Sequence, residues 1–127
     1  MEIKEATVEI SRHEGGLRSV SVLMPTWDRT EMDGSTSVNI PLFGLKAFVF
    51  NKMNQEEVVH DTIKAFCVCA EKHGTGLESE LSLLGWEFGD ESSENTISMS
   101  YVITSKDTVI EQIMSTGETQ SMILELA

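Results

Sequence analysis

The sequence predicts an α+β domain in which two consecutive helices pack on one face of an antiparallel or mixed β-sheet, in the order three strands, two helices and three strands. Apolar and polar residues alternate with a period of two near both ends of the chain, and a helical period replaces this alternation in the middle. The 127 residues, of which 40% are hydrophobic and 24% charged, suit a globular protein with one core. We therefore expect a single domain spanning residues 1–127.

A β-hairpin is predicted at the start of the chain, over residues 5–12 and 17–24. Between them, Glu14-Gly15-Gly16 offers glycines for the positive φ angles of a tight turn. The alternating apolar positions are Ala6, Val8 and Ile10 in the first strand and Val20, Val22 and Met24 in the second.

A third strand region is predicted over residues 36–50, which are apolar and rich in β-formers. Pro25 is expected to end the hairpin pairing, so that the polar residues 26–35 form a loop. Within the third region, Pro41 and Gly44 interrupt the pattern, and we expect a bulge or an edge position there.

The clearest helix is predicted over residues 55–73. Asn54 and Glu57 have the spacing of a helix amino-terminal cap, and His73 and Gly74 suit the last turn and the position after it. One apolar stripe consists of Val59, Ile63, Phe66, Cys67 and Ala70.

A second, short helix is predicted to follow, because Thr75 and Glu78 repeat the capping spacing and Gly85 suits its end. Trp86, directly after this glycine, is expected to pack back into the core. Leu77, Leu81 and Leu84 share the apolar face of this helix.

Strands are expected again after an acidic loop at residues 89–95. Ile97, Met99, Tyr101 and Ile103 alternate with Thr96, Ser98, Ser100 and Val102. Residues 109–114 and 122–126 fit two strands around a glycine turn, or a short helix followed by a strand, and we favour two strands.

The net charge of −12 is concentrated in the second part of the chain. Residues 73–127 contain ten acidic residues and one basic residue, Lys106, and so carry −9. Such a charge argues against direct binding of DNA or RNA, whose phosphates require clustered cations. It suits either solubility alone or a basic protein partner.

No residue pattern identifies a catalytic, cofactor or metal site. Cys67 and Cys69 diverge on a helix, lack a second cysteine pair and are read as structural, and His60 lies two turns from Cys67, too far for a catalytic pair. Asp90, Glu91 and Glu94 lack the EF-hand pattern, so a solvated loop is favoured over a calcium site.

Because the first five residues include two acids and form no apolar run, we expect no secretory signal, and no apolar run has membrane-spanning length; we therefore expect a cytoplasmic protein. Trp27, placed among polar neighbours in the predicted loop, is a candidate interface residue. The predicted partner-binding residues are Trp27, Glu78, Glu80, Glu87, Asp90, Glu91 and Glu94.

Residues 8–25, VEISRHEGGLRSVSVLMP, resemble the opening hairpin of HicB-like antitoxin domains, and Asn54-Gln55-Glu56-Glu57 with Ala65 is similar to the start of that family's helix. Together these segments cover about a third of the chain. The resemblance implies a sheet with a helix on one face, self-association, and a protein partner such as a basic RNA-cleaving toxin. Residues 26–53 depart from the family pattern, and the basic DNA-binding segment of many members has no counterpart.

The function predicted from these observations is a non-enzymatic protein-interaction module, of antitoxin or inhibitor type, that binds a basic partner. A homodimer is also expected, because the sheet leaves an unfinished strand edge. Two alternatives stay open: a subunit of a larger assembly, and a ligand-binding or enzymatic domain. The enzymatic alternative requires a deep pocket between helix 55–73 and the sheet that contains at least two carboxylates.

Overall fold

A computed structural model of the chain describes residues 5–89, 95–102 and 118–125. Its strands and helices, in chain order, are β1 (Glu5–His13), β2 (Gly16–Thr30), β3 (Thr36–Ile40), β4 (Leu45–Val49), α1 (Gln55–Lys72), α2 (Leu77–Leu83), β5 (Glu87–Phe88), β6 (Thr96–Val102) and β7 (Glu118–Glu125). The predicted α+β class, with two consecutive helices and an antiparallel sheet, is confirmed. Four strands precede the helices in place of the expected three.

The strands of the described ranges form one sheet, and β2 lies at its centre. The order is β4-β3-β2-β1-β6-β5, and β7 also pairs with β2. All of these pairings are antiparallel. The first part of β2 pairs with β1 and β7, whereas its last residues, 27–30, pair with β3. This long strand therefore joins the two parts of the sheet.

The predicted opening hairpin is confirmed as the β1–β2 pair. Its turn places Glu14 and Gly15 at positive φ, 51° and 84°, as a tight turn between twisted strands requires. Val8 is paired with Val22, and Ile10 is paired with Val20, so the apolar residues of both strands share one face.

The hairpin pairing ends before Pro25, as predicted, since pairing with β1 stops at Leu23. The loop predicted to follow it is wrong, because β2 continues through the proline to Thr30. On the β1 side of β2, no ladder hydrogen bond therefore requires an amide at position 25. The predicted loop over residues 26–35 is consequently confined to residues 31–35, between β2 and β3.

Residues 36–50 form a second hairpin, where a single strand with a bulge or an edge position was expected. A 3₁₀ turn, Pro41–Phe43, reverses the chain between β3 and β4. Gly44 follows at φ 67°, and its N–H donates to the carbonyl of Pro41 at 3.1 Å. The same proline and glycine that interrupt the sequence pattern therefore produce a full reversal.

Helix α1 confirms the predicted helix and its apolar stripe. Val59, Ile63, Cys67 and Ala70 are buried, and Phe66 is half-buried against the core. The predicted cap is wrong, because the Asn54 side chain makes no capping hydrogen bond. A 3₁₀ turn, Lys52–Asn54, leads into the helix in its place.

The end of α1 also differs from expectation at Gly74, which does not have the positive φ of a left-handed cap glycine. A Cβ at this position would lie 2.6 Å from Oε1 of Glu80 and 2.8 Å from the carbonyl oxygen of Ala70. Gly74 is therefore needed for close approach, and the left-handed glycine of this connection is Gly76, at φ 107°.

Trp86 is buried, as predicted, and it joins three parts of the fold. After α2, Gly85 adopts φ 103°, and the Trp86 N–H donates to the Leu81 carbonyl at 3.0 Å in a Schellman arrangement. The indole Nε1–H donates to the Leu42 carbonyl at 2.8 Å. The ring also contacts those of Phe43 and Tyr101, so the β3–β4 turn, α2 and β6 are held together.

A charged network ties β1 to both helices. Nη1 and Nη2 of Arg12 donate to Glu71 of α1 at 2.7 and 2.8 Å, and Nε donates to Glu78 of α2 at 3.0 Å. A second bond joins Nη2 to Glu78. Hydrogen bonding to Arg12 lowers the pKa of Glu71 below its usual value of 4.5, and both carboxylates raise the pKa of Arg12.

The later strands agree with the sequence pattern where they are described. β6 confirms the predicted strand up to Val102, and its Met99 is fully buried. β7 confirms the strand predicted over residues 122–126 as far as Glu125, and it begins earlier than predicted, at Glu118. The predicted strand 109–114 and most of the acidic loop lie outside the described residues. No helix of the described ranges is long and apolar enough to cross a membrane.

Replacing Trp86 by Phe is expected to lower the free energy of unfolding by about 2–4 kcal/mol, because it leaves a void and removes the donor to the buried Leu42 carbonyl. Trp27→Phe, at a half-buried position, is the matched control and should cost less than about 1 kcal/mol. Urea unfolding of both variants measures the difference. Equal losses would contradict the role given to Trp86.

Glu71→Gln is expected to lower the free energy of unfolding by about 1–2 kcal/mol near pH 7, because it removes the charge that pairs with Arg12. The loss is moderate since solvent partly screens this pair. The pKa of Glu71 is lowered by folding, so its contribution is complete above the usual value of 4.5 and disappears as the pH falls through the folded value. The difference from wild type should therefore shrink in acid. Urea unfolding between pH 7 and pH 3 checks this, with the exposed Glu9→Gln as control; a pH-independent difference would refute it.

Candidate functional site

One face of the sheet packs against the helices, and the opposite face is open. In β1, Ala6, Val8 and Ile10 are 0% exposed, whereas the residues between them point to solvent. The strand registers extend this division across the sheet. The open side, called the outer face here, comprises Glu5, Thr7, Glu9, Ser11, Ser19, Ser21, Leu23, Glu87, Thr96, Ser98, Ser100, Val102 and Ile123.

The charge of the outer face is entirely negative. Glu5, Glu9 and Glu87 are exposed, and the outer face as defined contains no Lys or Arg. Within the described ranges, no cation forms a salt bridge with any of the three carboxylates. Their fields therefore add without local neutralisation, and the face attracts positive groups.

A shallow hollow of about 230 Å³ lies at the centre of the outer face. Glu9 is in register with Ser21 on one side and with Ser98 on the other. Next to them, Leu23 and Ile123 are 38% and 64% exposed. The hollow is lined by Thr7, Glu9, Ser21, Val22, Leu23, Met122 and Ile123. It combines a carboxylate, hydroxyl groups and apolar surface, which together suit a polypeptide ligand.

The structure places the predicted partner-binding acids in different environments. Glu87 lies on the outer face, whereas Glu78 is held in the network with Arg12. Glu80 accepts hydrogen bonds from the Thr75 N–H at 3.1 Å and the Thr75 hydroxyl at 3.2 Å. The capping pair predicted for Thr75 and Glu78 is therefore wrong, since Glu80 accepts from Thr75. The remaining acids, Asp90, Glu91 and Glu94, lie outside the described residues.

Trp27 lies within β2 and not in a loop. It is half-buried, and its carbonyl accepts a hydrogen bond from the Asn39 side chain at 3.3 Å. The Gln55 side chain, at the start of α1, donates to the adjacent Asp28, whereas Glu78 shares Arg12 with Glu71, which lies near the end of that helix. These two ends of α1 are about 24 Å apart, so the fold does not bring Trp27 and Glu78 together.

Glu5 and Glu9 are the functional candidates that the sequence reasoning missed. Both were visible as the polar positions of an alternating strand, but the reasoning followed the density of acids in residues 73–127. They are candidates because β2, β6 and β7 complete the exposed face on which they lie. Only the strand order shows that these strands lie together.

A second surface feature, called the α1 groove here, lies between α1 and β4. Its volume is about 620 Å³, and it is lined by Leu45, Val58, Asp61, Thr62, Ala65, Phe66 and Cys69. The enzymatic alternative requires at least two carboxylates at this place. Asp61 is the single carboxylate among these lining residues, so the groove does not supply the paired acids.

The cysteines and histidines of the described ranges form no metal-binding group with neighbouring acids. Cys67 and Cys69 are free thiols, the first buried and the second exposed. Burial raises the pKa of Cys67 to about 12, which keeps it protonated and unreactive. Nδ1 of His60 lies 3.3 Å from Oδ1 of the neighbouring Asp61.

Comparison with known proteins leaves the site to be interpreted from its own residues. No protein-family model matches the chain, and no curated protein and no solved structure is significantly similar to it. The resemblance of residues 8–25 to HicB-like antitoxins therefore stays a prediction. The two surfaces on which a functional argument can rest are the acidic outer face and the α1 groove.

Proposed function

We propose that this chain is a non-enzymatic protein-interaction module, of antitoxin or inhibitor type, whose outer face binds a basic protein partner. The observation that carries the proposal is the set of exposed carboxylates Glu5, Glu9 and Glu87 on the outer face, which pair with no cation of the described residues and of which Glu9 lines the open hollow. The resemblance to HicB-like antitoxin domains implies a partner of the same kind. A cytoplasmic location goes with this proposal, because both cysteines are free thiols.

The charge of the whole chain supports association with a cation. With a net charge of −12, the protein attracts a basic partner from a distance, and the attraction weakens as salt screens it. The same charge repels nucleic-acid phosphates, so DNA and RNA are unsuitable ligands for the outer face.

The composition of the hollow supports a protein as the ligand. Leu23 and Ile123 offer exposed apolar surface beside Glu9, while the surrounding serine and threonine hydroxyls can donate and accept hydrogen bonds. Carboxylates alone would attract any cation. The added apolar side chains favour a Lys- or Arg-rich segment whose neighbouring residues can also be buried.

The proposal is tested by photo-cross-linking from Ser21, which lines the hollow. A photoreactive residue at this position should capture a basic protein in cells, and mass spectrometry identifies it. With the purified partner, Glu9→Lys should weaken binding by at least about tenfold, because it places a cation at the centre of the face. Glu56→Lys, which changes the net charge equally on an exposed position of α1, should have a much smaller effect.

Salt provides the second readout. Raising NaCl from about 50 to about 500 mM should weaken the complex by about tenfold or more. A captured partner that is acidic, or one that binds wild type, Glu9→Lys and Glu56→Lys equally, would refute the proposal. Absence of any cross-linked protein in cells that express the neighbouring genes would also count against it.

A further inference from the structure

The α1 groove lies against an open edge of the sheet. β4 is the end strand, and no strand of the described ranges pairs with its outer edge. Three large apolar side chains on β4 and just beyond it are exposed: Phe48 by 55%, Phe50 by 83% and Met53 by 91%. An unpaired strand edge with exposed apolar side chains is a typical place for two chains to associate.

The flank of α1 that faces the groove carries a second apolar stripe beside the one in the core. Val58, Thr62, Ala65 and Cys69 follow one another at intervals of four, three and four residues. This is the spacing with which one helix packs along another, and it extends for about 16 Å. Within the described ranges, Leu45 is the single residue from outside α1 that lines the groove.

The charges beside this stripe favour a second copy of the same chain as the occupant. If two α1 helices cross antiparallel at Ala65, Val58 of one lies level with Lys72 of the other. Asp61 then lies within about one turn of that lysine, so opposite charges meet twice across the symmetric pair. The small side chain of Ala65 lets the two helices approach closely at the crossing.

We propose that the chain forms a two-fold symmetric homodimer in which the two α1 flanks fill each other's grooves and the two β4 edges pair. A two-fold axis perpendicular to the sheet makes both the helix pair and the strand pair antiparallel, so one axis satisfies both surfaces. Lys46 of β4 does not hinder the pairing of the two strand edges, because its ammonium group lies over the ring of Phe48, 5.4 Å from the ring centroid.

This inference is independent of the proposed partner, and salt distinguishes the two. Each copy carries −12, so salt screens the repulsion between copies and should strengthen the dimer. The same salt should weaken a complex with a basic protein. Failure of one proposal therefore leaves the other intact.

The test is sedimentation of the full chain between about 2 and about 200 µM, with wild type expected to shift from monomer to dimer as mass action requires. Ala65→Arg places a long cation in the seam and should remain monomeric throughout. His60→Arg, on a different face of α1, is the matched control and should dimerise like wild type. Circular dichroism confirms that both variants are folded.

Cys69 supplies a readout that needs no substitution. It is exposed in one copy and lines the groove, whereas Cys67 is buried and unreactive. The rate at which a thiol reagent modifies wild-type Cys69 should fall by at least about tenfold as the protein concentration rises through the dimerisation range. A wild-type chain that stays monomeric, a dimer that survives Ala65→Arg, or a Cys69 rate independent of concentration would each overturn the proposal.

Discussion

Burial of one side of the sheet against the two helices determines which strand residues reach the surface. Val8 and Ile10 of β1, Met99 of β6 and Leu124 of β7 are fully buried in the same core as the apolar stripes of α1 and α2. Because the strand period is two, every residue placed inward fixes a neighbour that points outward. The apolar core thus fixes Glu9 on the outer face, exposed to solvent.

The carboxylates of this acidic chain have two distinct roles in the structure. Glu71 and Glu78 are paired with Arg12 and fasten both helices to β1, so their charge is largely neutralised. Among the described residues, no cation pairs with Glu5 or Glu9, so their charge contributes to the field outside the protein. The net charge alone cannot separate these roles, because the pairing of Arg12 with Glu78 joins residues 66 positions apart.

The sequence predicted the elements whose signals are local and missed those that depend on distant neighbours. The hairpin around Gly15 and the apolar stripe of α1 follow from periodicity and turn chemistry. The continuation of β2 through Pro25 could not be predicted, because it depends on where β1 ends and on pairing with β3 and β7. The outer face was missed for the same reason, since its residues come from five strands.

The outer face and the α1 groove lie on different parts of the fold and have different chemistry, so one chain can bind a basic partner and a second copy at once. Nuclear magnetic resonance of the isotope-labelled protein, titrated with oligolysine and then with the partner captured from Ser21, locates the surface that binds cations. We expect chemical-shift changes confined to the outer face, centred on Thr7, Glu9 and Ser21. Changes centred on Asp61 and Ala65 in the groove, or no change at any position, would contradict this expectation.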